Sequence, residues 1–280
     1  MSVPFDSVGV VGLGVMGGSL VQALASLPEP PHVVGWSNDP EDLKSAMAGG
    51  FLNEAADSLD ACVADVDVVV LAIPVDATCL VLGQLSNLAR SDAVFHDVAS
   101  MKAPVFQAAQ EAGILDRWVG GHPMAGSEVS GFAGARPDLY RDARVWLVAS
   151  EAAKEVRDRL AALWSAVGAA PEWTEAEAHD RLMAVASHLP QLTANALARI
   201  MESTGLSLDE LGPGGRDTTR LAASGVDMWM KILAYAPDVL HKALRSLSKE
   251  TEILADALEA GDLDHVRSLM ETSRAWRQEP

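Results

Sequence analysis

The sequence is short of cysteine, of positive charge and of long apolar runs. Its two cysteines, Cys62 and Cys79, stand in a chain of 280 residues. Two make no disulfide framework, and neither has the spacing of a metal ligand. No metal site is therefore expected, and a reduced cytoplasm is the expected setting. Lysine and arginine number 21 against 39 acidic residues, a formal charge of −18. Such a polyanion argues against nucleic acid and anionic membranes as partners. An anionic ligand must instead meet a few local cations placed against the general field. No apolar run approaches the ~20 residues of a membrane span. The N-terminal run is broken by Gly9, Gly12, Gly14, Gly17 and Gly18 and follows no basic segment, so neither a signal peptide nor a membrane span is expected there, and the protein should be soluble. No internal repeat or low-complexity tail is visible.

What is present is enough apolar material for a core, 49% of residues, in an alternating pattern. Val8–Leu13, His32–Trp36, Val66–Val75, Ala93–Val98, Trp118–Gly121, Arg144–Ala149 and Pro171–Trp173 read as strands. Helical segments stand between them: Gly17–Leu27, a stretch ending at Ala48, Pro104–Ala112 and Ala152–Val167. Val66–Val75 is apolar on both faces, which belongs in a sheet covered on both sides. The alternation predicts a doubly wound, Rossmann-type parallel sheet domain over 1–172. From about Glu175 only helical runs follow: Ala178–Ser203, Asp217–Ser224, Met228–Ala236, Pro237–Leu258 and Leu263–Trp276, with Leu211–Gly215 read as a loop. An all-helical domain is expected over 173–280. Ala178–Ser203 carries Leu182, Met183, Val185, Leu189, Leu192, Leu197 and Ile200 on more than one face. Helices of this kind cover one another only partly, and a homodimer sharing them would bury the rest.

Gly12-Leu13-Gly14-Val15-Met16-Gly17 follows an apolar strand and opens a helix. In that context the glycines allow a tight turn, close backbone approach to a pyrophosphate and close helix–strand packing, while the helix N-terminus offers free N–H groups. Leu13 and Met16 within this loop, and Ile73-Pro74 at the end of the third apolar run, are candidate cofactor contacts. The reader of the adenosine ribose should close the second strand, where the chain has Ser37-Asn38-Asp39. Serine replaces the usual acid and does not repel a 2′-phosphate, so NADP is favoured over NAD. Asp39, two residues late, keeps NAD open.

Two polar clusters follow the fourth and fifth strands, Asp97-Val98-Ala99-Ser100-Met101-Lys102 and Gly121-His122-Pro123-Met124-Ala125-Gly126-Ser127-Glu128. Ligands of open α/β sheets bind outside the carboxyl ends of the strands, so both clusters should face the reacting end of a dinucleotide. A histidine between glycine and proline at a strand end suits proton transfer near pH 7 better than core packing. Lys102 has a surface-helix reading beside a functional one.

These clusters, with His179-Asp180, Ser187-His188-Leu189-Pro190 and Arg216-Asp217-Thr218-Thr219-Arg220, resemble in kind and order the motifs of the prephenate/arogenate (cyclohexadienyl) dehydrogenases. The resemblance runs from residue 8 to about residue 235. It implies oxidative decarboxylation of a cyclohexadiene dicarboxylic acid with an NAD(P) cofactor, in tyrosine biosynthesis, by an intertwined dimer. His122 is then the acceptor of the 4-hydroxyl proton, and Ser100 shares that hydroxyl. Arg220 holds a substrate carboxylate, and Glu128 and His188 are further candidate substrate contacts, with a helix-cap reading beside Glu128 and a core-histidine reading beside His188. Many relatives carry a histidine directly after the Leu-Pro; here the residue is Gln191, which hydrogen-bonds but takes no charge. That change, with Glu128, leans toward accepting arogenate. A β-hydroxyacid dehydrogenase is the rival enzyme, but the lysine helix those enzymes use is missing. A nicotinamide-binding sensor is the rival from another class, and it would have no need to keep Ser100, His122 and Arg220 together.

Overall fold

A computed structural model of the chain describes residues 3–127 and 129–278. Its first unit contains β1 (Ser7–Val11), α1 (Val15–Ala25), β2 (His32–Trp36), α2 (Pro40–Ala48), β3 (Glu54–Ala55), α3 (Leu59–Val63), β4 (Val68–Leu71) and α4 (Val75–Leu85). It continues with β5 (Val94–Asp97), α5 (Ala103–Glu111), β6 (Trp118–Pro123), β7 (Arg144–Val148), α6 (Lys154–Ala166), β8 (Ala170–Trp173) and α7 (Ala176–Met183). The eight strands form one sheet in the order β3-β2-β1-β4-β5-β6-β7-β8. Every neighbouring pair is parallel except β6 and β7. A parallel return needs a crossover, usually helical. Between β6 and β7 the described residues hold only a short 3-10 turn, Phe132–Gly134, so the chain comes back antiparallel.

Alternate residues of the strands feed two cores, one on each face. Val8, Val10, Val68 and Val70 join Leu20, Leu24, Leu160 and Trp164. Val69, Leu71 and Phe95 join Leu82, Val105 and Trp118. This is period-two burial with helices on both sides. The apolar run expected to be one strand over Val66–Val75 is shorter: β4 stops at Leu71, and Pro74 becomes the N-cap of α4.

A polar thread crosses the first core. His96 Nδ1 lies 2.6 Å from the Val119 carbonyl, and Trp164 Nε1 donates to His96 Nε2 at 2.9 Å. A carbonyl only accepts and an indole only donates, so His96 is neutral with its proton on Nδ1. Trp164 packs edge-on against Tyr140, whose hydroxyl donates to the Met16 carbonyl at 2.6 Å in the glycine-loop helix.

The chain forms two units of unequal size. The sheet unit runs to Leu182 and takes back Ala223–Ala236, which holds α10 (Val226–Leu233); the second unit holds Met183–Ala222 and the chain from Pro237. In the second unit a π-helical turn at Ala184–His188 leads into α8 (Leu189–Ser203), followed by α9 (Pro213–Thr219), α11 (Asp238–Glu259) and α12 (Leu263–Arg277). The stretch expected to be one helix over Ala178–Ser203 is thus interrupted by a π turn. Part of the expected Gly-Pro-Gly-Gly loop is helical, because Pro213 takes the first helical position after an extended Gly212. In the single chain Val185, Ile200, Leu258 and Met270 of this unit remain exposed. Among the described residues no helix is long and apolar enough to cross a membrane.

His96 supplies a test of the core. Burial above all, helped by the Lys102 charge, pushes its pKa down to about 3, against the opposing bond to Val119. A histidine pKa lowered by folding means that the unfolded chain binds the proton first. Its stabilisation is complete above pH ~6.5 and is lost as pH falls toward the folded value. Urea denaturation between pH 6.5 and 3 should show a steeper loss in wild type than in His96→Gln, by up to about 1.4 kcal/mol per pH unit. Parallel slopes would mean that His96 is protonated in the fold.

Candidate functional site

The carboxyl ends of β1, β4 and β5 surround a cavity of about 420 Å³, lined by Gly14, Met16, Ile73, Pro74 and Ser100 among others. Gly12 has φ +91°, and a Cβ there would lie 2.5 Å from the Ala72 carbonyl oxygen; one on Gly17 would lie 1.8 Å from the Gly12 carbonyl oxygen. The turn therefore tolerates no side chain at either place. At Gly14, the N-cap of α1, a Cβ would meet nothing within 4 Å. Open space in front of a helix N-terminus is what a phosphate group requires, and these residues fit a dinucleotide. Leu13 is fully buried in the core, so only its backbone faces the loop. Ser37 is half-buried and accepts from the Asp39 N–H at 3.2 Å, while exposed Asp39 caps α2 by accepting from Glu41 N at 2.9 Å.

The second cluster lies at the same end of the sheet. Asp97 pairs in register with Gly120, so Ser100 follows one strand end and His122 stands in the last turn of the neighbouring strand. His122 Nδ1 is 2.8 Å from His179 Nε2, and His179 Nδ1 is 2.7 Å from Asp180 Oδ1. The two Asp180 oxygens also accept from Lys102 N and Ala103 N, each at 2.8 Å. Those partners only donate, so the carboxylate orients His179 with its proton on Nδ1. Burial first of all, and then the Lys102 charge, lower the His179 pKa against the pull of Asp180. A neutral His179 has its Nε2 lone pair available and accepts from His122 Nδ1–H. This bond holds the His122 ring through its Nδ1 side.

Lys102 is not a surface residue. Its side chain has no exposed surface; Nζ donates to Asp97 Oδ1 and, at 2.5 Å, to the Gly121 carbonyl next to His122. Asp97 also accepts from Ala99 N at 3.0 Å. Burial raises the Asp97 pKa, while Lys102 opposes that rise. From the sequence alone His179-Asp180 has no assigned role, and Lys102 has a surface reading beside a functional one. No local pattern marks either one: Asp180 meets Lys102 across 78 residues, and His179 meets His122 across 57.

The remaining candidates belong to the helical unit. His188 is buried in the π turn; Gln191, also buried, donates from Nε2 to the Leu221 carbonyl at 2.8 Å, which ties it to the segment that carries exposed Arg220. Glu128 lies outside the described residues. No group of three potential metal ligands occurs among the described residues.

Sheet order, glycine cradle and a histidine beside it define a two-domain oxidoreductase of the nicotinamide-dependent class. Within that class the chain belongs to the prephenate dehydrogenase family: the profile described as "Prephenate dehydrogenase, nucleotide-binding domain" matches residues 28–172, and that of the "dimerization domain" matches 175–272. A prephenate dehydrogenase of Bacillus subtilis is 28% identical over 97% of this chain and 75% of its own. A cyclohexadienyl dehydrogenase of Zymomonas mobilis is 25% identical over 98% of this chain and 95% of its own. The crystal structure of prephenate dehydrogenase from A. aeolicus in complex with hydroxyphenyl propionate and NAD+ superposes with a TM-score of 0.89, at 27% identity over 99% of both chains.

Removing the buried cation should be severe. Lys102→Met leaves the Asp97 carboxylate buried without its ion-pair partner, a loss of about 3–5 kcal/mol. Asp97→Asn in the same background should restore part of it. Urea unfolding of the two variants measures both, and a Lys102→Met protein as stable as wild type would show that Asp97 is protonated.

Proposed function

We propose that this protein oxidises prephenate, arogenate or both, with loss of carbon dioxide, to give 4-hydroxyphenylpyruvate or tyrosine. The observation that carries this reading is the His122–His179–Asp180 chain at the end of β6, the sheet neighbour of β5, whose following residue Ser100 lines the dinucleotide cavity. The relatives named for prephenate and cyclohexadienyl substrates support the same chemistry.

Gly12, Gly14 and Gly17 hold the pyrophosphate turn, with Met16, Ile73 and Pro74 along the cavity wall. The bound nicotinamide supplies the acceptor for the hydride of ring C4. His122 Nε2 takes the proton of the 4-hydroxyl as that oxygen becomes a carbonyl. Ser100 hydrogen-bonds the same hydroxyl and aligns it. His179 and Asp180 share the positive charge that His122 then acquires. Loss of the C1 carboxylate restores aromaticity and needs no further group. Arg220 is the fork for a substrate carboxylate, with His188, Gln191 and Glu128 as further contacts.

Serine at position 37 leaves room for NADP, the cofactor favoured on sequence grounds. Asp39, Glu41 and Asp42, however, crowd the start of α2, and Lys44 is engaged by Glu41 at 3.6 Å. That field opposes a 2′-phosphate, and the preference we now propose is NAD. The exposed apolar residues of the helical unit fit a homodimer, with the domain boundary near residue 172. Both cysteines are free, which fits the cytoplasm.

Reduction of NAD+ and NADP+ with prephenate and arogenate should be followed for wild type and His122→Asn. Turnover should fall about 10²–10⁴-fold in the variant, the usual contribution of one acid–base group. No turnover with any pairing would end the proposal. Asp180→Asn should lower kcat more than it changes KM and shift the acid limb of the pH profile; an unchanged profile would remove the relay. Light scattering should give twice the 29.5 kDa chain mass, and the single-chain mass at micromolar concentration would refute the dimer.

A further inference from the structure

The cradle has a wall that comes from far along the chain. Helix α10 follows the boundary proposed near residue 172 but belongs to the sheet unit, where Ile232 and Trp229 pack into the second core. Between these anchors stands Lys231. It lines the same cavity as Gly14, Val15 and Met16 of the α1 start. The residues lining that cavity include one cation, Lys231, and one carboxylate, Asp227.

Lys231 Nζ is 3.1 Å from Asp76 Oδ2 in the first turn of α4, and both side chains are about half in water, at 42% and 45% exposure. Burial tends to raise the Asp76 pKa, but the bond and charge of Lys231 and the Ala77 N–H outweigh it and hold it below the usual range. A pair so exposed is held weakly and is exchangeable. The α1 start offers backbone N–H groups but no side-chain cation, in a chain of charge −18. An incoming pyrophosphate carries two negative charges into this field. Lys231, on a flexible stem with three donors, is the cation among the described lining residues and can neutralise part of them.

We propose that Lys231 is a ligand for the phosphates of the dinucleotide, leaving Asp76 when the cofactor enters the cradle. The proposal rests on the dinucleotide reading of the cavity and extends it to a residue of the C-terminal sequence. Asp76 acts as the counter-ion that holds Lys231 ready and competes with the ligand for it.

Calorimetric titration with NAD+, with ADP-ribose and with phosphate-free adenosine tests this on the full chain. Lys231→Met should weaken NAD+ and ADP-ribose about tenfold and leave adenosine unchanged, as expected for one lost charge-assisted contact. Asp76→Asn should tighten both phosphate ligands, and the gain should vanish in the Asp76→Asn/Lys231→Met double variant. A gain that persists in the double variant would show a general field effect and overturn the proposal. Equal weakening by both single variants would also overturn it, because the ion pair would then only pin α10. Should Lys231→Met fail to fold, Lys231→Gln replaces it, and unchanged affinity for ADP-ribose in a folded variant sinks the idea. Failure of wild type to bind either NAD+ or ADP-ribose is a separate result: it would remove the dinucleotide reading, and this proposal with it.

Discussion

An ammonium group without exposed surface lies between the Asp97 carboxylate and the Gly121 carbonyl, and the arrangement of the site follows from it. Lys102 joins the ends of β5 and β6 through its side chain and the middle of α7 through its backbone N–H to Asp180. A lysine in that position is tolerable only with an ion partner and an acceptor, because an unpaired buried charge is prohibitive. Its bonds therefore dictate how closely two strand ends and a helix approach one another. His122 follows Gly121 directly, so its place is set by the same contact.

Electrostatics then divides the labour. Two cations of this acidic protein, buried Lys102 and half-exposed Lys231, each stand against a carboxylate. Lys102 secures the strand ends and adds to the burial that lowers the His179 pKa, while Lys231 lines the cavity against Asp76. The carboxylates that face these cations orient them or compete with ligands for them.

Much of the sheet unit was legible because strands buried on both faces read as continuous β-branched runs and because glycine turns leave an unmistakable spacing. Errors arose where one residue could belong to two elements. Pro74 ended a strand early by capping a helix, and Pro213 turned an expected loop into the first turn of α9. The antiparallel β7 could not be read from composition, since strand direction depends on the intervening connection and not on the strand itself. Lys102 was ambiguous because a lysine after a strand end is normally solvated, and only contacts at long sequence separation reveal its burial.

The sequence by itself determined the alternation of strands and helices, the glycine cradle with its chemistry, and the residue types Ser100, His122 and Arg220 that a proton-abstracting, anion-binding site requires. These are local properties, set by period, turn chemistry and residue type. Tertiary structure alone decided that His122, His179 and Asp180 form one hydrogen-bonded chain, that Lys102 is interior, and that Lys231 returns to the cradle from the helical half of the sequence. Each depends on groups distant along the chain meeting within about 3 to 4 Å, the range over which hydrogen bonds and ion pairs act, and no local pattern records such a meeting.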